Sequence, residues 1–373
     1  MPARPWFIGS EIYRHSRFGA RHPLSIPRVS TVMDLVRALG WLSEDVYVDS
    51  PRATPAELAR FHDPVYIEAL IAAEEAQAVT PVQRERFNLG TIESPIYPEM
   101  FRRPATACGA SLRAADLVRD GGIVHNPAGG THHGRRDRAS GFCFFNDPVL
   151  GLLRLLDNGL DRVLYVDIDA HHGDGVEAAF FDDPRVLTIS VHEDGRWPRS
   201  GAVGDRGTGY ARNLPVPKGF NDVEMAFILD AAILPLADRY RPQAVMIQCG
   251  ADALLEDPLS GLGLSNNAHA AVVEALAFLT PRTIVTGGGG YNPWSVGRCW
   301  TRVWGVLNRM DIPDRLPPSA EAVLRALTWN RAAGRNPPEH WFTTLVDSPR
   351  PGPVREEVRA AVAAVTASPY PVP

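Results

Sequence analysis

A short apolar run that ends abruptly in ionisable side chains constrains this chain more than any other feature. From 163 to 176 the residues read Val-Leu-Tyr-Val-Asp-Ile-Asp-Ala-His-His-Gly-Asp-Gly-Val. The β-branched and aromatic lead-in predicts a short, buried, parallel strand. Alternation puts Asp167 and Asp169 on one face of that strand, with His171 at its carboxyl end. Unpaired charge in an interior is expensive, so this cluster needs compensation. A divalent metal is the simplest one. Asp oxygen and His nitrogen are ordinary zinc ligands, and strand tips are where open α/β sheets place their sites. The competing reading is an ordinary βα loop with an Asp cap and solvent-facing histidines.

The rest of the chain fits a strand of that kind. Apolar runs at 6–8, 46–48, 123–124, 186–191, 244–247 and 283–286 predict further strands. Between them, helical spacing is read at 28–39, 65–79, 106–119, 148–158, 223–240, 266–279 and 295–307. Thr54 to Leu58 begins another helix, with Glu57 at capping-box spacing. Residues 13–27, 87–98 and 195–209 read as loops. Strands that alternate with helices predict an α/β fold with a mainly parallel sheet. No internal repeat or low-complexity linker divides the chain. One domain over 1–373 is expected, with a core at about 5–310 and a Pro-rich extension at 311–373 that holds two short helices.

Composition narrows the function. A 45% hydrophobic chain with 22% charged residues can build a sizeable core. The formal net charge of -5 gives no electrostatic case for nucleic acid. Cys108, Cys143, Cys249 and Cys299 are scattered, with no C-x-x-C pair, as expected of free thiols in a reducing compartment. No signal peptide is read at the N-terminus, and no apolar run approaches a membrane span. A cytoplasmic protein with no membrane partner is expected. Oligomeric state stays open.

Polar candidates cluster at the predicted strand tips: His132 and His133, Asp167 to Asp174, Asp252, and Tyr291 after four glycines. Each has a bland reading alone: an exposed turn, a helix cap, a packing aromatic. Together they assemble a chemistry. Asp169, His171 and Asp252 supply two carboxylates and one imidazole to a metal and leave room for water. His132 and His133 would be a base and its neighbour, with Asp167 and Asp174 available to orient them. Tyr291 offers a neutral O–H to a developing oxyanion. The sum is metal-assisted amide or ester hydrolysis. G-x-S-x-G, H-E-x-x-H and Walker A motifs are absent, and no G-x-G-x-x-G fingerprint supports a dinucleotide site.

Five segments in order carry a resemblance over about residues 5–310: Gly129-Gly-Thr-His-His-Gly134, Gly141-Phe-Cys-Phe-Phe-Asn146, Asp167-Ile-Asp-Ala-His-His-Gly-Asp-Gly175, Cys249-Gly-Ala-Asp252 and Gly287-Gly-Gly-Gly-Tyr-Asn292. The chain resembles the zinc-dependent histone deacetylases, and among them the bacterial acetoin-utilisation type. The resemblance implies the three-layer arginase/deacetylase fold, an eight-stranded sheet between helical layers. It implies one catalytic Zn²⁺, replaceable by another divalent transition ion, on Asp169, His171 and Asp252. His132 and His133 match the tandem histidines, backed by Asp167 and Asp174, with His133 as general base. Tyr291 matches the oxyanion-stabilising tyrosine. Phe142 matches one wall of an acyl-lysine tunnel, with Trp197 opposite, Gly130 and Gly289 along it, and Leu259 near its floor or rim. Glu93 stands where the family places an acidic rim residue that grips the substrate backbone, with Glu for Asp. Arg28 resembles the arginine of an acetate-release channel. One or two structural K⁺ ions are implied: an inner one at Asp167, Asp169, His171, Ser190 and Val191, an outer one at Phe180, Asp183, Val186 and Tyr210. The expected substrates are acetylated lysine side chains, or alternatively small acetylated amines such as acetylpolyamines.

Overall fold

Eight strands pair into one sheet, and every pairing is parallel. The computed structural model describes residues 4–19 and 22–367. In chain order the strands are β1 (Trp6–Gly9), β2 (Tyr47–Asp49), β3 (Gly122–Asn126), β4 (Val163–Asp167), β5 (Val186–Glu193), β6 (Ala211–Val216), β7 (Ala244–Gln248) and β8 (Arg282–Thr286). In space the order is β2-β1-β3-β8-β7-β4-β5-β6. The chain therefore returns late to the middle of the sheet, inserting β7 and β8 between β3 and β4.

Alternation along the central strands feeds two cores. Leu164 and Val166 of β4 join Leu187, Ile189, Val245, Ile247 and Val285 on one face. That face is covered by the helices Val29–Ala38, Asn266–Ala277 and Pro293–Leu307, among others. Val163 and Tyr165 join Val186, Met246 and Ile284 on the other, under the helices Arg102–Leu117 and Asp147–Asp157. A strand buried on both faces reads as an unbroken apolar run, which is why β4 and β7 stand out in the sequence. The result is the three-layer arrangement, with a wholly parallel sheet in place of a mainly parallel one.

Three departures from the sequence reading have physical causes. β6 was not anticipated: it is an edge strand, Ala-Arg-Asn-Leu-Pro-Val, and its Pro215 argues against a strand unless it lies at an edge. The helix expected at 223–240 is α-helical at Asp222–Ile228, widens to a π-turn at Leu229–Ile233, and resumes at Leu234–Tyr240. Pro235 sits at the start of the last piece, where its ring is incompatible with the tighter helical hydrogen bond. The helix expected at 65–79 stops at Ala76, and Thr80 then caps a separate helix Pro81–Phe87 through a Thr80–Gln83 capping box. Within the expected loop at 13–27, a one-turn helix closes at His15 and a 3₁₀ turn spans Pro23–Ser25; residues 20 and 21 lie outside the described residues.

The extension docks on the core. Leu316, Ala320, Leu324 and Trp341 pack with Leu35 and Trp294, and the indole N–H of Trp294 donates to the Leu324 carbonyl at 2.9 Å. The helix Glu356–Ala367 buries Val358, Val362 and Val365 in the same core as β6. No helix among the described residues is long and apolar enough to cross a membrane.

Candidate active site

β4, β7 and β8 lie side by side, with Asp167 opposite Gln248 and Gln248 opposite Thr286. The loops after these three strands carry Asp169 and His171, Asp252, and Gly289 with Tyr291. β4 ends at Asp167, so Asp169 lies just past the strand rather than on it. The turn is made by Asp167 itself, whose Oδ1 accepts the Asp169 backbone N–H at 3.0 Å.

One ligand atom each from Asp169, His171 and Asp252 lies within 4.8 Å of the others. Both carboxylates are fully buried, and backbone donors hold them in place. Asp169 accepts from His171 N–H at 2.9 Å and Gly289 N–H at 2.6 Å, and Asp252 accepts from Ala170 N–H at 3.0 Å. Such tethers fix the donors before any ion arrives. A Cβ on Gly289 would lie 2.0 Å from Asp252 Oδ2, so only glycine lets that backbone reach the pair. No Lys or Arg pairs with either acid among the described residues. Two buried anions and one imidazole, preset by backbone donors, fit a divalent cation.

The tandem histidines sit beside this cluster, their ring centroids 3.9 Å apart. Asp147, buried in the next helix, orders the turn that presents them. Its carboxylate accepts from Gly130 N–H at 3.0 Å, Thr131 N–H at 2.8 Å and the Thr131 hydroxyl at 2.6 Å. His132 Nδ1 meets Asp167 Oδ2 at 2.7 Å, and His133 Nδ1 meets Asp174 Oδ1 at 2.7 Å. Arg135 pairs with the other oxygen of Asp174. The two rings are driven apart. Burial opposes a charge on His132, but Asp167 and Asp169 outweigh it and push its pKa up to about 9. Burial and the neighbouring charge of His132 press His133 down to about 3, against the pull of Asp174. A ring that holds its proton beside one that lacks it is an acid–base pair made by environment.

Tyr291, His132, His133, Asp169, His171, Gly130, Gly289, Phe142 and Arg28 line one inner cavity of ≈ 40 Å³. It opens to a mouth of ≈ 860 Å³ lined by Glu93, Phe142, Trp197, Leu259, His133 and Tyr291 among others. Burial and the nearby Asp252 and Asp169 hold the Tyr291 hydroxyl protonated, well above its usual range. Phe142 approaches Tyr291 edge-on at 5.9 Å, and Trp197 approaches His133 edge-on at 4.6 Å. Two aromatic walls thus flank an imidazole held by Asp174, a phenol and a cluster whose donors fit a divalent cation.

The whole stretch 22–307 matches the histone deacetylase domain. The chain belongs to the histone deacetylase family. It is 34% identical to the acetoin utilization protein AcuC of Bacillus subtilis over 84% of both chains. It is 38% identical to histone deacetylase 9 of Arabidopsis thaliana over 80% of this chain and 72% of that one. A crystal structure of an HDAC homolog from Aquifex aeolicus superposes with a TM-score of 0.93, covering 97% of this chain and all of the other at 34% identity. The sheet is that of the arginase/deacetylase fold, and the protein is a deacetylase, an amidohydrolase.

The remaining expected site residues take these places. Leu259 is at the mouth rather than at the inner end. Arg28 Nη1 donates to the Gly288 carbonyl at 2.8 Å, with its guanidinium 5.3 Å over the Trp300 ring. Ser190 stands opposite Asp167 in the sheet, next to Val191, and its hydroxyl lies 2.9 Å from His192 Nδ1. Phe180, Asp183 and Val186 form one turn, in which Asp183 N–H donates to Phe180 O at 3.0 Å and Val186 N–H to Asp183 O at 3.3 Å. Tyr210 borders that turn, its carbonyl accepting from Thr188 N–H at 2.9 Å.

Sequence reading missed four supports of the site. Asp147 was passed over as the residue before a helix. Asp257 lies in a Glu-Asp-Pro loop with no periodicity. Tyr165 looked like strand filler, yet its hydroxyl lies 2.8 Å from both Asp167 Oδ2 and Gln248 Oε1. Buried His62 accepts the Asn146 backbone N–H on Nε2 at 3.0 Å, so its Nδ1–H donates to Arg135 O at 3.0 Å. Only Tyr165 offered a signal, a polar atom inside an apolar run that must find a partner when buried.

Proposed function

We propose that this protein is a zinc-dependent deacetylase of the cytoplasm that removes acetyl groups from acetylated lysine side chains. The carrying observation is the convergence of Asp169, His171 and Asp252 beside His133 and Tyr291 in one small cavity. Asp169, His171 and Asp252 would hold the zinc. A zinc ion bound there supplies Lewis acidity, which polarises an amide carbonyl and acidifies water.

The protein's own groups do the rest. His133 is neutral, and Asp174 engages its Nδ1, which leaves Nε2 to take the proton of the attacking water. His132 is held beside the reacting centre by the Asp167 carboxylate, which meets its Nδ1 at 2.7 Å. Tyr291 donates its O–H to the carbonyl oxygen as that oxygen turns negative. The proton taken by His133 is then delivered to the leaving amine. Phe142 and Trp197 exclude water from the flanks and align the methylene chain. Gly130 and Gly289 leave room for it, and Leu259 lines the rim. The inner cavity suits acetyl and not a long acyl chain. Arg28, at its inner side, faces the departing acetate.

The mouth favours acetyl-lysine over a polyamine. Of its acids, Glu93 and Glu193 already accept hydrogen bonds from protein groups, and Arg196 and Arg199 stand beside them. Asp194, the third acid, is exposed, so a polycation meets one exposed carboxylate beside two arginines. We further propose structural K⁺ at Asp167, Asp169, His171, Ser190 and Val191, and at Phe180, Asp183, Val186 and Tyr210, and a single catalytic domain over 1–373.

The test is a turnover panel on zinc-loaded enzyme: an acetyl-lysine peptide, acetylputrescine, acetylspermidine and a long-chain acyl-lysine peptide. The acetyl-lysine peptide should be fastest, and chelation should abolish turnover. Faster cleavage of an acetylpolyamine would reassign the substrate. No amide cleavage by the zinc-loaded enzyme would overturn the reading.

A further inference from the structure

Glu93 lies half-buried at the mouth, and both its carboxylate oxygens are engaged inside the protein. Oε1 accepts the backbone N–H of Gly141, and Oε2 accepts Nδ2–H of Asn88 at 2.9 Å. The Asn88 amide also donates to the Ala139 carbonyl at 3.1 Å, two residues before that glycine. Behind this, the Glu93 carbonyl lies 3.4 Å from His22 Nε2. The His22 ring packs edge-on against Phe142 at 4.6 Å.

The segment so gripped is conformationally unfavourable. Gly141 and Phe142 adopt φ of +55° and +65°, a region that side chains other than glycine's rarely occupy. Such a backbone persists only where its surroundings over-determine it. It is also tightly placed: a Cβ on Gly141 would lie 2.4 Å from the His133 ring and 2.5 Å from Trp197. The peptide held by Glu93 is therefore the one wedged between the proton-accepting imidazole and the opposite wall.

We propose that Glu93 is a positioning residue that holds the Gly141–Phe142 turn against His133, and that it does not recruit the substrate backbone. A charge-assisted hydrogen bond to a backbone N–H is among the stronger ones available, and here it restrains a strained turn. The substrate then needs no backbone amides to be placed, because the wall and the imidazole are set before it arrives. The kinetic part of the test rests on the deacetylase reading above; the exchange part does not.

Hydrogen exchange of the Gly141 amide is measured in the metal-loaded wild type, Glu93→Ala and Glu93→Gln. The amide should be protected in the wild type, exchange about tenfold faster or more in Glu93→Ala, and be intermediate in Glu93→Gln, whose amide oxygen can still accept. Equal exchange in wild type and Glu93→Ala overturns the proposal, whether or not any acetyl amide is cleaved. Turnover is then compared on an acetyl-lysine peptide and on N-butylacetamide, which presents the same acylated amine without backbone amides. Glu93→Ala should lower kcat on both to within about threefold of each other, with Glu93→Gln recovering part of the loss. A loss confined to KM for the peptide, with N-butylacetamide unaffected, would show that Glu93 grips substrate and would overturn the positioning role. Failure of the wild type on both substrates counts against the deacetylase reading alone, and exchange still decides Glu93.

Discussion

The carboxylate of Asp257 accepts the backbone N–H of Tyr291 at 2.6 Å. Its other oxygen accepts the N–H of Leu259 at 2.9 Å. One buried acid thus ties the phenol-bearing loop to the rim of the mouth. Burial and the charge of Asp252 push its pKa up to about 8. Asp257→Ala should leave metal content intact and lower kcat by ~10–10², the cost of a small misplacement of a reacting group. Metal analysis and kcat on the same sample check this; unchanged kcat would detach Asp257 from the site.

Tyr291 itself separates packing from chemistry. Tyr291→Phe keeps the ring against Phe142 and removes only the hydroxyl. We expect fold and metal to be retained and kcat to fall by about 10²–10³, as for loss of one oxyanion donor. KM should change far less, because the interaction strengthens chiefly in the transition state. A kcat within about twofold of wild type would place the hydroxyl outside the mechanism.

Removing His133 tests the proton path. His133→Ala should cost about 10²–10⁴ in rate while the protein still binds one metal, since the imidazole is not in the three-residue cluster. Near-normal turnover from pH 6 to 9 would locate the base elsewhere.

Asp252→Ala should abolish both metal binding and activity, because it leaves one carboxylate and one imidazole. Chelation of the wild type should lower its melting temperature, since the ion binds the assembled cluster and not the unfolded chain. Metal analysis showing one tightly held equivalent in Asp252→Ala would contradict the ligand assignment.

Acid should destabilise the fold earlier than carboxylate titration alone would. His62 and His125 are both buried, and burial lowers each pKa to about 4 from an unfolded value of 6.5. Between those values the unfolded chain binds more protons than the folded one. Their contribution is therefore complete above pH ~6.5 and is lost as pH falls toward ~4, by up to about 3 kcal/mol for each ring. From these two rings the melting temperature should decline as pH falls below about 6.5. A flat profile down to pH 4.5 would refute it.

The parts of the fold legible in sequence were those where one physical rule acts alone. β4, β7 and β8 are buried on both faces, so their apolar runs are unbroken and their ends are sharp. Asp169, His171, Asp252 and the tandem histidines were visible because polar groups directly follow such runs. β6 was hidden because an edge strand tolerates Asn213 and Pro215. Asp147, Asp257 and the internal partner of Glu93, a residue placed at the rim by resemblance, were illegible for another reason. Each acid acts on a backbone N–H far along the chain, and no local pattern records that partner. Trp197 was placed only loosely by resemblance, and its contact with His133 depends on the conformation of an irregular loop.

The sheet order has a bearing on when the ion can be acquired. Asp169 and His171 follow β4 and Asp252 follows β7, neighbours in the sheet but separated along the chain by an excursion through β5 and β6. During synthesis, the first two donors leave the ribosome long before the third. β7 must then slide in beside β4 before the donors can meet, and β8 must follow to bring the Gly289 tether. The nascent chain consequently has no complete set of the three donors until its centre has closed, so uptake of an ion by Asp169, His171 and Asp252 would be a late event and a natural reporter of finished assembly.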